Sequence, residues 1–199
     1  MQTLATAILT EAQKHPEGTL ISAKELLHLG NRAAVDQALS RLAKRNQLMR
    51  AGRGLYVLPV ETRFGLRAPA PEKVVGQLAE AHVETVAPHG AAAANGLGLT
   101  TQVPTRMVYY TSGPSRKITL GAQTVELKHA PNWMLLRGAG RAGEAVRALV
   151  WIGRHHVREA LSKLQRSLAA SEVSELVGFR RALPAWLSQS ISEVLVQNV

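Results

Sequence analysis

The run Asn31-Arg-Ala-Ala-Val-Asp-Gln-Ala-Leu-Ser-Arg-Leu-Ala-Lys-Arg45, followed almost directly by Leu48-Met-Arg-Ala-Gly-Arg-Gly-Leu-Tyr-Val-Leu-Pro59, constrains the fold of this chain more than any other segment. With successive residues about 100° apart, Val35, Ala38, Leu39 and Leu42 share one stripe, the spacing of a helix with a buried face. Gln37, Ser40, Arg41 and Lys44 point the other way, with small Ala33 beside them. The second segment is two short apolar runs around Gly52-Arg53-Gly54, the signal for a β-hairpin with a basic tip. A basic amphipathic helix followed by such a hairpin is how a winged helix-turn-helix ends.

The residues ahead of the helix fit the same pattern. Ser22-Ala-Lys-Glu25 matches a capping box and predicts a short helix with Leu26, Leu27 and Leu29 as its apolar face. Gly30 ends it, and Asn31 caps the next helix, so a tight turn joins the two. Leu4, Ala5, Ile8, Leu9 and Ala12 repeat at helical spacing until His15-Pro16-Glu-Gly18 breaks the run. Three helices and a hairpin are expected over residues 1 to about 60.

Arginine and glutamine can hydrogen-bond guanine and adenine edges in a major groove, and a small residue allows close approach. A helix with Lys and Arg outside is also what an ordinary solvated face looks like. The charge balance separates the two. Between Gly30 and Arg67 the basic residues are Arg32, Arg41, Lys44, Arg45, Arg50, Arg53, Arg63 and Arg67, against only Asp36 and Glu61. That excess is the footprint of a nucleic-acid binder. Arg32, at the helix start, is placed for a phosphate or a flanking base.

Composition narrows the class. At 199 residues and 46% hydrophobic content the chain can bury a core as one or two domains. A formal charge of +10 favours a polyanionic partner. No basic amphipathic tail or lipidation signal points to a membrane surface. The absence of cysteine excludes disulfides, thiolate zinc sites and Cys nucleophiles, and is compatible with a reducing compartment. Met1-Gln-Thr-Leu-Ala lacks a positively charged start and Glu11 follows early, so no signal peptide is read and a cytoplasmic location is expected. The uncharged stretch from Thr85 to Thr105 holds Pro88, Gly90, Asn95, Gly96, Gly98, Gln102 and Pro104, a poor membrane span.

Arg67-Ala-Pro-Ala-Pro71 predicts an extended connector, giving an N-terminal domain over residues 1–67 and a second over 70–199. The second should open with a helix from Pro71 to His82 that buries Val74, Val75, Leu78 and Ala81. A small-residue helix from Gly90 to Leu97 follows, then a strand over Arg106-Met-Val-Tyr-Tyr-Thr111. Lys117-Ile-Thr-Leu120 and Thr124-Val-Glu-Leu127 predict a hairpin about Gly121. The chain then reads as helical from about Ala142, with breaks near Gly153 and Leu183-Pro184. The expected class is α+β: an N-terminal winged helix-turn-helix and a mixed α/β C-terminal domain with a small antiparallel sheet and several helices.

The order of Ile21-Ser-Ala-Lys-Glu-Leu-Leu, Ala34-Val-Asp-Gln-Ala-Leu-Ser-Arg-Leu, Arg53-Gly-Leu-Tyr56 and Asn95-Gly-Leu-Gly-Leu-Thr-Thr-Gln-Val-Pro104 resembles the AbiEi-type antitoxins of bacterial abortive-infection (type IV) toxin-antitoxin systems. The resemblance spans nearly the whole chain, and the Asn95 to Pro104 run is its more distinctive part. It implies an N-terminal domain that binds operator repeats in its own promoter and a C-terminal domain that counteracts a nucleotidyltransferase-like toxin. It places the DNA contacts on the Arg32 to Arg45 helix and the Arg50 to Tyr56 wing. Gln37, Ser40, Arg41 and Lys44 would enter the groove, Arg32 and Arg45 would add DNA contacts from the same helix, and Arg50 and Arg53 would hold phosphates or reach the minor groove. Tyr56 is expected to pack against the helices. The alternative is a stand-alone winged-helix regulator whose second domain senses a ligand or dimerises; an enzyme or RNA-binding factor using the winged helix for delivery is a further class.

Enzyme chemistry finds little footing. Gly138-Ala-Gly-Arg-Ala-Gly143 matches Gly-x-Gly-x-x-Gly, with Glu159 near the distance of a ribose-binding acid. No alternating strands and helices surround it, so it reads as a turn. Asp36 is the single aspartate, which leaves no Asp pair for magnesium. His155-His156 diverge on a helix, and His82 and His89 stand apart, so neither pair has zinc-ligand spacing. No Gly-x-Ser-x-Gly elbow occurs. No catalytic residue, metal or cofactor is expected. A second basic cluster, Arg137, Arg141, Arg147, Arg154, Arg158, Lys163 and Arg166 against Glu144 and Glu159, fits a solvated helical face as well as a surface for toxin, RNA or further DNA.

Overall fold

Thr3 starts the first helix: its hydroxyl accepts from the Thr6 N–H, and α1 (Leu4–Gln13) runs on to the turn before Pro16. This is a computed structural model, and residues 3–196 are described. A short strand, β1 (Leu20–Ser22), comes next. The helix expected from Ser22 to Gly30 is instead a run of turns. Glu25, Leu26 and Leu29 donate to Ser22, Ala23 and Leu26 respectively, all three residues back. Ser22 is drawn into β1, where it pairs with Leu55, and the few residues left before the Asn31 cap cannot repay helix nucleation. Half of the capping box survives, because the Glu25 carboxylate accepts from the Ser22 N–H at 3.0 Å.

Asn31 caps α2 (Arg32–Lys44) by accepting from the Ala34 N–H at 2.9 Å. At the other end Asn46 takes a left-handed φ of 57°, and Gln47 and Asn46 donate to Leu42 and Ala43, which closes the last turn. β2 (Met49–Gly52) and β3 (Leu55–Val57) form the expected hairpin, and the strand order is β1-β3-β2. Ile8, Val35, Leu39, Leu42, Leu48 and Tyr56 form the core over which these elements pack. A second hairpin, β4 (Val60–Thr62) and β5 (Gly65–Arg67), was not expected. It leads to α3 (Pro71–His82), which buries Val74, Val75 and Leu78 but leaves Ala81 exposed.

Further along come β6 (Val86–Pro88), α4 (Gly90–Gly96), β7 (Met107–Thr111), β8 (Arg116–Leu120) and β9 (Gln123–His129). The rest is helical: α5 (Arg141–Ile152), α6 (Val157–Ser167), α7 (Ala170–Gly178) and α8 (Ala185–Ile191), with short 3-10 turns at Asn132–Met134 and Phe179–Ala182 and a π turn at Ser192–Val196. The fold is mixed α+β. Among the described residues no helix is long and apolar enough to cross a membrane.

Two compact units emerge, and their boundary differs from the 1–67 and 70–199 division expected from the connector. The first runs to Glu84 and also takes in Arg116–Glu126; the second holds Thr85–Ser115 and the chain from Leu127. α3 belongs to the first unit because Glu17 holds it there. The Glu17 carboxylate accepts from Lys73 Nζ at 2.6 Å, the Ala70 N–H at 2.9 Å and Arg67 Nη1 at 3.1 Å. Next to it, Gly18 (φ +92°) lies so close to α3 that a Cβ would stand 2.8 Å from the Lys73 Cβ. In the second unit β6 pairs antiparallel with β7, Val86 opposite Thr111. Its core is helical, built on Leu149, Leu161, Leu164, Leu176, Leu187 and Ile191. α4 approaches α5 closely enough that a Cβ on Gly90 would stand 2.5 Å from the Arg147 carbonyl oxygen.

Candidate functional site

α2 is amphipathic in the way its spacing predicts. Val35, Ala38, Leu39 and Leu42 are buried, while Arg32, Ala33, Gln37, Ser40, Arg41, Lys44 and Arg45 are exposed. Arg50 and Arg53 are exposed on β2 and on the two-residue loop that joins it to β3. Arg41 and Lys44 lie in the last turn, where cations also complement the helix dipole. Arg50 Nε donates to the Gly52 carbonyl at 3.3 Å, which draws its side chain along the hairpin.

The ion pairs distinguish these cations from most others of the first unit. Lys14, Arg67, Lys73, Arg116 and Lys117 each sit within 4.0 Å of a carboxylate. Arg32 is paired too, with Asp36 one turn on at 2.8 Å, so it differs from the other expected contact residues. Among the described residues Arg41, Lys44, Arg45, Arg50 and Arg53 have no carboxylate within that distance, nor have Lys24 and Arg63. Positive charge is thus left uncompensated along the outer face of α2 and the β2–β3 hairpin.

The second basic cluster is built differently. Arg137 pairs with Glu175, Arg141 with Glu172, Arg158 with Glu193 and Lys163 with Glu159. Arg154 lies over the Trp186 ring, 5.4 Å from its centroid, and Arg166 Nε donates to the Ser162 carbonyl. Arg147, read from the sequence as part of this surface, is fully buried. Its guanidinium donates to the carbonyls of Met134 at 3.1 Å and Gly138 at 2.6 Å, while Nε has no partner. Burial brings its pKa down to about 10, so it stays charged at neutral pH.

That seat also explains the glycine-rich run. Gly138 supplies a carbonyl to Arg147 from a left-handed turn (φ +48°), and a Cβ on Gly143 would collide with the Leu136 carbonyl oxygen. These glycines build a loop under a buried arginine, and Glu159 is tied to Lys163 at 2.9 Å. Half-buried His89 and Tyr110 stack with ring centroids 4.9 Å apart; burial lowers the His89 pKa and raises that of Tyr110. Among the described residues no group of three His, Asp or Glu side chains is placed to hold a metal ion.

The β4–β5 hairpin is the surface feature that sequence reading passed over. Phe64 at its tip is 86% exposed, with the Arg63 guanidinium 4.7 Å from the ring centroid. Gly65, between the alternating Val60-Glu-Thr62 and Leu66-Arg67, was the available signal.

No curated protein matches the chain. Among solved structures it is similar to the crystal structure of the RV2827C protein from Mycobacterium tuberculosis, at 14% identity and a TM-score of 0.52, covering 96% of this chain and 76% of that one. At that identity the likeness concerns the fold alone. The model of a family of unknown function, DUF6088, matches residues 7–176, and the chain belongs to that family.

Proposed function

We propose that the chain is a DNA-binding antitoxin and transcriptional autorepressor of a bacterial type IV toxin-antitoxin system, acting in the cytoplasm on a nucleotidyltransferase-like toxin without a cofactor or catalysis of its own. The observation that carries the DNA half is the partition of cations. Apart from Arg32, those on α2 and the β2–β3 hairpin lack carboxylates, whereas those of the second basic cluster, Arg166 excepted, are paired, stacked or buried. Unpaired Lys and Arg are free to displace counterions from phosphates. α1, the turns over residues 23–29, α2 and a β1-β3-β2 sheet follow one another in the order of a winged helix-turn-helix, which supports reading α2 as the recognition helix.

In this reading Gln37, Ser40, Arg41 and Lys44 meet base edges in the major groove, and Arg45, Arg50 and Arg53 meet phosphates. Arg32 contributes only by exchanging Asp36 for a phosphate. The antitoxin half rests on the resemblance of the Asn95 to Pro104 run. Gel shifts on the DNA upstream of the coding sequence test the first half. Arg41→Ala or Lys44→Ala should weaken binding, Arg50→Ala or Arg53→Ala should reduce the salt slope by about 1 each, and Gln37→Ala should relax sequence preference. Unchanged titrations for all three variants refute the interface. Co-expression of the intact chain with the product of the adjacent gene, scored for growth, tests the second half. Promoter binding without rescue would leave a stand-alone regulator.

A further inference from the structure

The exposed phenyl ring of Phe64 stands on a hairpin whose tip is held rigid. Thr62 and Gly65 pair across a two-residue turn, the Thr62 hydroxyl donates to the Gly65 carbonyl at 2.8 Å, and the Phe64 N–H donates back to that hydroxyl at 3.2 Å. Gly65 takes a φ of +106° that a side chain would resist. At the base of the hairpin Arg67 is tied to Glu17, which also holds α3. All of β5 is exposed, and among the described residues of the first unit only the Arg63 guanidinium lies over the ring, which stays 86% exposed. The chain has two phenylalanines, and one of them is displayed in this way.

We propose that this hairpin is a second DNA contact: the Phe64 ring wedges into a base step of duplex DNA while Arg63 binds a flanking phosphate. The inference rests on the DNA-binding reading of α2 and adds to it a site that α2 does not provide. An apolar plate and an unpaired guanidinium on one tip match a surface on which flat stacked bases lie between phosphates. A purely apolar partner would leave Arg63 without a counter-charge. Nine residues separate Arg53 from Arg63, ten steps along the chain that span at most about 36 Å, no more than about one helical turn of DNA, so a single duplex is within reach of both hairpin tips.

A wedge of this kind kinks the duplex by roughly 20–90°, which energy transfer between dyes at the two ends reports. The probe is an end-labelled duplex of the DNA immediately upstream of the coding sequence. The intact chain should raise the transfer; Phe64→Ala should abolish the rise and weaken binding roughly 5- to 100-fold, and Phe64→Trp should retain both. If Phe64→Ala binds and bends the duplex like the unaltered chain while Arg41→Ala still weakens binding, the wedge is refuted and the α2 reading stands. If the unaltered chain fails to bind any duplex, both fall. If Phe64→Ala changes the sedimentation of the free protein and leaves DNA binding intact, the ring serves contact between copies and the proposal is overturned.

Discussion

Replacing Glu17 tests what keeps α3 and the β4–β5 hairpin in the first unit. The carboxylate is pulled down from 4.5 to about 2, first by Lys73, then by the Ala70 N–H and Arg67. Unscreened, that displacement corresponds to about 3.4 kcal/mol. Both cations are about half exposed, 54% for Lys73 and 50% for Arg67, so each ion pair is worth only about 0.5 kcal/mol. The bond from the half-buried Ala70 N–H to a charged acceptor adds about 1 to 1.5 kcal/mol. Glu17→Ala should therefore loosen α3 by about 2 kcal/mol, roughly a 30-fold larger open population. Glu17→Gln, whose amide oxygen still accepts from Ala70, should cost about half as much.

Amide hydrogen exchange over Pro71–His82 reads this directly, because the three tryptophans, Trp133, Trp151 and Trp186, all lie in the second unit. The folded carboxyl has the lower pKa, so its contribution is complete above about 4.5 and drains away as the pH falls toward 2; at pH 3 less than half remains. The gap in α3 protection between the unaltered chain and Glu17→Ala, corrected for intrinsic rates, should shrink accordingly. Equal protection in the two proteins at pH 7, or a gap unchanged at pH 3, refutes the clamp.

Two further positions bear on stability. Arg147→Ala should cost the second unit about 3–5 kcal/mol, because it opens a cavity and strands the Met134 and Gly138 carbonyls, whereas Arg147→Met keeps most of the volume, relieves a buried charge and should cost about 1–2 kcal/mol. Urea unfolding followed by tryptophan fluorescence compares them, and equal losses would contradict the assignment. Val83 is 94% exposed and closes α3 with a left-handed φ of 54°, so Val83→Asn should raise stability by about 1 kcal/mol; an unchanged or lower midpoint of thermal unfolding would speak against strain there.

What could be read in the sequence was what local spacing determines. Pro71 to His82, the hairpin about Gly121 and the buried stripe of α2 follow from periodicity and turn residues alone. The failures came where distant residues decide. Ser22 reads as a cap until Leu55 claims it as a strand partner, and the Pro-rich connector reads as a boundary until Glu17, more than fifty positions away from Ala70 and Lys73, bridges it. Arg147 belongs to a basic run in sequence, yet Gly90 lets α4 press against the α5 backbone at its carbonyl, Gly143 lets the Leu136 carbonyl approach, and the side chain ends up buried. Charge counting located the cationic stretch, but only geometry separated unpaired from paired cations.

The same distinction bears on the Asn95 to Pro104 run. Gly98 closes α4 with a φ of +69°, and Leu99 and Gly98 donate to the Ala94 and Asn95 carbonyls, so this glycine has a conformational reason to be there. Asn95 Nδ2 reaches the Gln102 carbonyl at 3.1 Å and the Thr100 carbonyl at 3.4 Å, and the Thr100 hydroxyl accepts from the Gln102 N–H at 3.1 Å. The amide and the small residues that make the run distinctive are engaged in folding the loop back on itself. What remains facing outward is Thr101, Gln102 and Val103, the last 75% exposed. If this loop touches a toxin, those three side chains must make the contact, and the rest of the run serves to present them.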